Sequence, residues 1–210
     1  MKVAIFGATG GTGRLLVQEA LAAGHEVVAF VRHPSKLTTR YERLTILQGE
    51  ITGPTAVKSA VKGVQAVISV LDPRGLDRSK PITRGTQNIL AAMKTHGVRR
   101  LVISSTPSAR DAHDRPDFRF QLAIALIRLA LPSAYEDIVH TAQAVRASDC
   151  DWTIVRASML SNAPKKGTVR VGYADRSMGM RLTRPDFADF LLQQVQDTKY
   201  LRQAPVISNG

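Results

Sequence analysis

A glycine-rich segment near the start of the chain, Gly7-Ala8-Thr9-Gly10-Gly11-Thr12-Gly13, constrains the fold more than any other part of the sequence. It follows residues 3–6, whose continuous apolar run is typical of a strand buried on both faces of a parallel sheet. It precedes residues 14–23, where apolar side chains recur at near-helical spacing until Gly24. A glycine-rich turn between a buried strand and a helix indicates a dinucleotide-binding βαβ unit.

Each glycine at this spacing has its own mechanical role. Gly7 permits the tight turn, Gly10 lets the backbone approach a phosphate group, and Gly13 lets the helix pack closely on the strand. The free amides at the start of the helix then face the pyrophosphate of the dinucleotide. We expect the remaining contacts of this turn to come from Thr9, Gly11 and Thr12.

Strand and helix patterns alternate along most of the chain. Further strands are predicted at residues 27–31, 44–47, 66–70, 101–104 and 152–155, and further helices at residues 55–61, 83–96 and about 118–148. Strands that are separated by helices form a parallel sheet through right-handed crossovers. The pattern therefore predicts an α/β fold with a Rossmann-type, doubly wound parallel sheet.

The alternation breaks after residue 156. Residues 157–184 carry glycines, a proline and a short β-like piece at residues 168–173, which predicts a small C-terminal appendage on the substrate side. A last helix is expected from Thr183 to about residue 196, because Thr183 and Asp186 have the spacing of a capping box. From the length of 210 residues we expect a single NAD(P)-binding domain over residues 1–210.

The end of the second predicted strand indicates which dinucleotide is bound. A carboxylate at this point would bind the ribose 2′-hydroxyl of NAD, whereas a cation would accommodate the 2′-phosphate of NADP. The chain has Arg32 here, Lys36 nearby, and no acidic residue between Val27 and Tyr41. We therefore expect NADP(H) to be preferred over NAD(H).

Charge and hydropathy limit the classes of partner. The formal net charge of +12 attracts polyanions, but only 5% of the residues are aromatic and no basic run is interleaved with stacking rings, so we expect no nucleic acid partner. Residues 118–131 are apolar but shorter than the roughly 20 residues of a membrane span. They predict a core helix, with a dimer contact or a pocket lid as the alternative, and no membrane partner.

The single cysteine, Cys150, excludes an intrachain disulfide and a metal site built from several thiolates. The N-terminal residues run directly into the first strand and lack the apolar region of a signal peptide. We expect a cytoplasmic protein without a metal site, either a monomer or a homodimer, whose partner is a small-molecule acceptor.

Further motifs accompany the glycine turn, namely Val31-Arg32, Gln48-Gly49-Glu50-Ile51, Asn88-Ile89-Leu90-Ala91-Ala92-Met93 and Asp151-Trp152-Thr153-Ile154-Val155-Arg156. Together they resemble the atypical short-chain dehydrogenase/reductase group that includes the flavin reductase and biliverdin-IXβ reductase proteins and the NmrA-like NAD(P)-binding proteins. The resemblance covers nearly the whole chain.

The resemblance implies further contacts with the cofactor. Glu50 and Ile51 would lie beside the adenine, although the family more often has aspartate at the first of these positions. Leu71, Asp72 and Arg74 follow the fourth strand and would border the pyrophosphate and the nicotinamide-side ribose. The Arg74 guanidinium can pair with a phosphate group through two hydrogen bonds.

The end of the fifth strand is the expected reaction centre, because ligands of open α/β sheets bind outside the carboxyl ends of the strands. Ser104, Ser105 and Thr106 lie at this end. By the resemblance, Thr106 matches the serine that contacts nicotinamide or substrate in the biliverdin and flavin reductases. We expect Ser104 and Thr106 to contact the cofactor. In catalysis, Ser105 and Thr106 would position the nicotinamide amide or polarise a substrate carbonyl.

Ordinary short-chain dehydrogenases use Tyr-x-x-x-Lys as a proton relay, and this chain departs from that pattern. No tyrosine is followed by a lysine four residues on, among Tyr41, Tyr135, Tyr173 and Tyr200. The biliverdin and flavin reductases place a histidine shortly after the sixth strand, where this chain has Met159, whose thioether does no acid–base chemistry. His113 and His140 are alternative acids, but single histidines of this kind are more often solvated or packed.

The residues and the resemblance predict an NADPH-dependent oxidoreductase that transfers hydride to a planar acceptor, such as a flavin or a tetrapyrrole. This transfer needs mainly proximity and orientation, and solvent can supply the proton. A non-catalytic, NADP(H)-sensing regulatory protein of NmrA-like type is the alternative, which the missing relay also fits. Epimerase or dehydratase chemistry is a further option, since the fold hosts many reactions.

Overall fold

The computed structural model describes residues 1–37, 41–73 and 78–209. The strands are β1 (Lys2–Phe6), β2 (Glu26–Val31), β3 (Leu44–Gln48), β4 (Ala66–Ser69), β5 (Arg100–Ser105), β6 (Asp151–Arg156), β7 (Met159–Ser161), β8 (Arg170–Gly172), β9 (Arg181–Thr183) and β10 (Val206–Ser208). The helices are α1 (Gly11–Ala22), α2 (Pro54–Val61), α3 (Pro81–His96), α4 (Phe118–Ala130), α5 (Pro132–Arg146) and α6 (Arg184–Gln193).

The large sheet has the order β3-β2-β1-β4-β5-β6-β10-β8, and β7 pairs with β9 in a separate small sheet. Every pairing in the large sheet is parallel except that of β10 with β8. The direction of chain progression reverses at β1, and ligands of doubly wound sheets bind at such a switch point. The predicted α/β class and doubly wound parallel sheet are confirmed.

The two faces of the sheet are covered by different helices, because successive strand residues point to opposite faces. Val3 and Ile5 belong to a core with α1 and α6. Ala4 and Phe6 belong to a second core with α2, α3 and α5. Because both faces are covered, the open part of the sheet is the edge where the carboxyl ends of the strands meet.

The predicted helical region over residues 118–148 contains two helices, α4 and α5, which divide at Pro132. Proline has no amide hydrogen to continue the first helix but fits the first turn of the next. The expectation of a core helix at residues 118–131 is wrong, since Phe118 is 74% exposed and Leu129 is 84% exposed. Within the described ranges, no helix is both long and apolar enough to cross a membrane.

The hydrogen bonds at the start of α6 differ from those of the predicted capping box. The Thr183 hydroxyl accepts a hydrogen bond from the Asp186 amide at 3.2 Å, as expected. The Asp186 carboxylate does not return to the Thr183 amide, which donates to Asn209 Oδ1 instead. Asp186 accepts the amides of Lys166 and Gly167 at 3.0 and 2.9 Å. The N-terminus of α6 therefore anchors a segment of residues 157–184, the range expected to form the appendage.

Candidate functional site

At two positions of the turn between β1 and α1, the backbone geometry admits only glycine. Gly7 has a φ of +87°, and a Cβ there would lie 2.7 Å from the Val70 carbonyl oxygen. A Cβ on Gly13 would overlap the Gly7 carbonyl oxygen. Because both obstacles are backbone atoms, no side-chain rotation relieves them, and the close approach of α1 to β1 requires glycine.

The first turn of α1 is open toward a ligand. Gly10 is the N-cap, and no side chain in the described part of the chain caps this helix. The opening amides of a helix have no partner within the helix, and together with the helix dipole they favour an anion. The backbone at this turn can therefore bind phosphate.

A cavity of about 850 Å³ opens beyond the carboxyl ends of the strands. This volume lies in the upper part of the range typical of ligand sites, roughly 300–1,000 Å³. Its wall contains every described residue that the sequence placed at the site: Gly7, Thr9, Gly10, Gly11, Thr12, Gly13, Arg32, Lys36, Glu50, Ile51, Leu71, Asp72, Ser104, Ser105 and Thr106. Arg74 lies outside the described residues.

One end of the cavity is basic. Arg32, His33 and Lys36 line it directly after β2, and the side chains of all three are exposed. The Arg32 carbonyl oxygen accepts a hydrogen bond from Gln48 Nε2 at 3.3 Å, which ties this turn to the end of β3. Two cations and a histidine at the end of β2 suit a phosphate group rather than a ribose hydroxyl.

The wall near β3 is shaped by close packing around Ile51. A Cβ on Gly85 of α3 would overlap the Ile51 side chain, and Asn88 Nδ2 donates to the Ile51 carbonyl oxygen at 3.0 Å. A Cβ on Gly49 would lie 2.7 Å from the Phe30 ring. Ile51 is therefore held in a fixed position in the cavity wall, where its apolar side chain offers a surface for a flat ring.

The other end of the cavity carries hydroxyl groups from the ends of β5 and β6. The Thr106 hydroxyl accepts the Ser108 amide at 3.2 Å, which leaves its own hydrogen free to be donated elsewhere. Ser158 also lines the cavity, and its buried hydroxyl has no hydrogen-bond partner among the described residues. Sequence reasoning did not identify Ser158, because a serine after a strand has no distinctive pattern.

Helix α5 contributes Ile138 and Thr141 to the cavity, and among the described residues no tyrosine lines it. Thr141 lies 3.2 Å from the Thr83 hydroxyl, which donates to the buried Asp137 carboxylate at 2.6 Å. Asp137 also accepts the Thr83 amide at 2.7 Å, so its carboxylate caps the start of α3. Asp137 is not among the residues that line the cavity.

Met159 and the two histidines that were considered as acids are not among the lining residues. Met159 is 51% exposed, and its neighbours Ser158 and Leu160 line the cavity instead. His113 bonds to the Asp111 carboxylate at 2.8 Å, and His140 Nδ1 lies 2.7 Å from the Glu136 carbonyl oxygen. Among the described residues, Met159, His113 and His140 therefore contribute no acid to the cavity wall.

Arg184 is a site residue that sequence reasoning missed. It begins α6, and its Nε would lie 3.0 Å from a Cβ added to Gly11 in the glycine turn. Arg184 Nη1 donates to Asn162 Oδ1 at 2.7 Å, which holds the guanidinium over the start of α1. The cation thus joins residues 157–184 to the phosphate-binding turn. No local pattern signals this contact, because it depends on α6 packing beside α1.

A buried ion pair supports the hydroxyl end. Arg156, fully buried at the end of β6, donates to both carboxylate oxygens of Asp114 at 2.7 Å. Asp114 also accepts the amides of Asp111 and Ala174. Burial acts to raise the pKa of Asp114, but hydrogen bonds from Arg156 and these amides outweigh it and hold the pKa below its ordinary value. The pair fixes the loop after β5 against the segment that contains β8.

The sequence matches a model of the family described as NAD(P)H-binding over residues 7–198. It is 32% identical to a 2-alkyl-3-oxoalkanoate reductase from Stenotrophomonas maltophilia over 126 residues, covering 55% of this chain and 36% of the relative. A reductase of the same name from Shewanella oneidensis is 34% identical over 109 residues, covering 50% of this chain and 28% of the relative. The chain thus spans about a third of the length of these curated relatives.

Solved structures show the same fold. An oxidoreductase from Lactococcus lactis superposes with a TM-score of 0.83 at 19% identity, covering 100% of this chain and 91% of that one. A short-chain dehydrogenase/reductase from Veillonella parvula in complex with NADP gives 0.80 at 18% identity, covering 99% and 94%. An anaerobillin reductase from Escherichia coli O157:H7 gives 0.78 at 16% identity, covering 99% and 97%.

Proposed function

Because this chain belongs to the NAD(P)H-binding family, we propose that it is an NADPH-dependent oxidoreductase that transfers hydride to a planar acceptor, such as a flavin or a tetrapyrrole. One observation carries the proposal. The glycine turn, the cations Arg32 and Lys36, and the hydroxyl groups at the end of β5 all line the same cavity. Cofactor and acceptor would therefore meet in one space.

The cavity fits a dinucleotide at its glycine end. The absence of side chains at Gly7 and Gly13 lets the backbone approach the pyrophosphate, and the free amides of α1 bind it. Arg32 and Lys36 would bind the 2′-phosphate through charge-assisted hydrogen bonds. This pairing favours NADPH over NADH. Arg184, held over Gly11, would add a further cation beside the pyrophosphate.

The hydroxyl end would orient the reacting groups. NADPH, when bound, supplies the hydride. Thr106 can donate a hydrogen bond to the nicotinamide amide or the acceptor, while Leu160 and Phe187 provide apolar walls that limit water. In the balanced reaction the acceptor gains a hydride and a solvent proton, and the nicotinamide is oxidised.

The choice of a planar acceptor follows from the missing relay. Reduction of a ketone places negative charge on oxygen and benefits from a positioned acid. No tyrosine lines the described cavity, and His33 and Lys36 follow β2 at the end assigned to the 2′-phosphate. A conjugated acceptor spreads the added charge over its rings, so a solvent proton suffices. The relatives named 2-alkyl-3-oxoalkanoate reductase make a 3-oxo acid the necessary comparison substrate.

The test is a fluorescence titration with NADPH and NADH, followed by addition of flavin mononucleotide, biliverdin or a 3-oxo acid. Loss of the reduced-nicotinamide absorbance reports turnover. We expect tighter binding of NADPH and oxidation by at least one planar acceptor. Absence of binding to either nucleotide would refute the proposal, and turnover with the 3-oxo acid alone would refute the choice of acceptor.

Thr106→Val tests the role of the hydroxyl group. The variant keeps the side-chain shape but loses the hydroxyl group, so we expect turnover to fall about threefold to tenfold, the effect of losing one hydrogen bond. Thr95→Val, on the exposed surface of α3, is the matched control and should turn over like the native protein. Equal turnover in both variants would remove Thr106 from the mechanism.

An NADP(H)-sensing regulatory protein is the second candidate, favoured by the absence of a tyrosine from the described cavity wall. This candidate predicts tight NADPH binding without oxidation by any of the acceptors. Either function is expected in the cytoplasm, and the buried free thiol of Cys150 suits a reducing compartment.

A further inference from the structure

Helix α4 presents an apolar stripe to solvent. Phe118, Leu122, Leu126 and Leu129 are 74, 57, 57 and 84% exposed. At 3.6 residues per turn these four residues lie within an arc of about 80°. Phe120 and Ile124 are the buried residues of α4, and they hold the helix on the protein through its other side. The stripe is therefore a contiguous outer surface.

A groove of about 310 Å³ runs beside this stripe, between α4 and the start of α5. It is lined by Arg110, Gln121, Ile124, Ala125, Arg128, Leu129 and Tyr135. Leu129 belongs to both the stripe and the groove, so the two surfaces are continuous. Both arginines are exposed, and within the described ranges neither forms an ion pair with a carboxylate.

Charge identifies the kind of partner that fits this surface. Helix α4 contains no acidic residue, and Asp117 before it is buried and paired with Arg119 at 3.1 Å. A second copy of the chain, packed across a twofold axis on the same face, would bring the arginine-lined grooves toward each other, and juxtaposed like charges oppose association. A nucleic acid would satisfy the arginines but leave the leucines in water. An anionic phospholipid surface satisfies both.

We propose that α4 docks on an anionic phospholipid membrane, with the stripe at the acyl boundary and a lipid phosphate between Arg110 and Arg128. A helix whose outer face is apolar and flanked by cations can lie in the plane of the membrane surface, with that face at the acyl boundary. With 13 residues, α4 is too short to span the bilayer and rests on it. The expectation of no membrane partner rested on the shortness of this apolar segment, and docking on a membrane surface does not require a spanning length.

The test is sedimentation of the full chain with vesicles of phosphatidylcholine alone, or of an equal mixture of phosphatidylcholine and phosphatidylglycerol. We expect the protein to sediment with the mixed vesicles only. Leu122→Asp with Leu126→Asp should abolish the binding, because charges in the stripe cannot enter the acyl boundary. Thermal unfolding of each variant verifies the fold, and these residues lie outside the cavity.

Charge reversal at the groove is compared with the same reversal elsewhere. Arg110→Glu with Arg128→Glu should weaken vesicle binding at least about 30-fold, because each cation near the surface contributes separately. Lys58→Glu with Lys94→Glu, in α2 and α3, makes the same change of net charge. The affinity of this variant for the mixed vesicles should stay within about threefold of that of the native protein, since salt screens charges beyond roughly 8 Å from the lipid.

Three results would overturn the proposal. The first is failure of the native protein to sediment with the mixed vesicles. The second is equal loss of binding in the two charge-reversal variants, which would show a general effect of net charge. The third is a dimer in analytical ultracentrifugation that becomes a monomer on Leu122→Asp with Leu126→Asp, because the stripe would then be covered by a second copy.

Discussion

The two ends of the cavity are held in different ways. The glycine end is fixed by backbone fit, since a Cβ on Gly7 or Gly13 would meet carbonyl groups. The hydroxyl end is fixed by side chains, above all by the buried pair of Arg156 with Asp114. A fit between backbones requires particular residues at fixed spacing, whereas an ion pair can join distant positions. The first arrangement is therefore visible in the sequence and the second is not.

Breaking the ion pair should lower the unfolding free energy more than any other change proposed. It should disturb the hydroxyl end of the cavity and leave the glycine end intact. Asp114→Asn leaves the buried Arg156 guanidinium without its counter-charge, which costs about 3–5 kcal/mol of unfolding free energy. We expect NADPH affinity to change little in the folded fraction, while acceptor turnover falls. Thermal unfolding and the NADPH titration measure both. Asp151→Asn, which breaks the exposed pair with Arg99, is the matched control and should hardly alter stability.

The same substitution has a predictable pH dependence. The pKa of Asp114 in the folded protein is lowered from its ordinary value of 3.8, so its stabilising contribution is present above that value. The contribution is lost as the pH falls through the folded pKa. The difference in stability between the native protein and Asp114→Asn should thus be constant near neutral pH and shrink below about pH 4.

Breaking the glycine end should cost somewhat less stability but abolish cofactor binding. Gly13→Ala forces α1 away from β1, at about 3 kcal/mol of unfolding free energy, and displaces the amides that face the pyrophosphate. A Cβ on Gly10 would lie 3.4 Å from the Gly7 carbonyl oxygen, an ordinary contact, so Gly10→Ala should keep the stability of the native protein. Similar denaturation midpoints for the two variants would contradict the backbone account.

Removing the cations after β2 should lower the affinity for NADPH without changing the affinity for NADH. Arg32→Ala with Lys36→Ala should weaken NADPH binding about 10–100-fold, the effect of losing charged hydrogen bonds to the 2′-phosphate, and leave NADH binding unchanged. Lys62→Ala, at the exposed end of α2, controls for the loss of positive charge. An equal loss of affinity for both nucleotides would place the phosphate contact elsewhere.

The smallest effect is expected where α1 meets α6, at Glu19, which does not line the cavity. Burial and the neighbouring Asp189 raise the pKa of Glu19 from 4.5 to about 7. Such a carboxyl destabilises the fold progressively as the pH rises from 4.5 through 7. Glu19→Gln should therefore raise the unfolding free energy by about 1 kcal/mol at pH 8, allowing for partial exposure, and change nothing at pH 4. Glu42→Gln, on the surface, is the matched control.

The sequence was informative wherever neighbours in the chain determine the structure. The predicted membership of an NAD(P)-binding family is confirmed by the NAD(P)H-binding match, and the solved neighbours share the fold. Strands β1 and β2 and the turn between them were predictable because apolar runs and glycines act locally. The cofactor residues expected from the glycine turn and from Arg32 gather at one cavity, since parallel strands bring their carboxyl ends to one edge.

The features that the sequence did not predict depend on packing between distant parts of the chain. Arg184 reaches Gly11 only because α6 packs beside α1, and the strand β10 has three residues with no pattern of their own. The exposure of α4 was not predictable, because a helix that is apolar around much of its circumference has the same pattern in a core as on a docking surface. Ser158 and the Arg156 pair likewise need the assembled sheet before their roles can be seen.

The most direct test of the central claim is a crystal structure of the protein with NADPH and flavin mononucleotide. We expect the 2′-phosphate at Arg32 and Lys36, the pyrophosphate on the amides of α1, and the nicotinamide beside Thr106 with the flavin ring stacked on it. A cofactor bound outside this cavity, or a nicotinamide whose hydride-bearing face is covered by protein rather than by the flavin, would contradict the account.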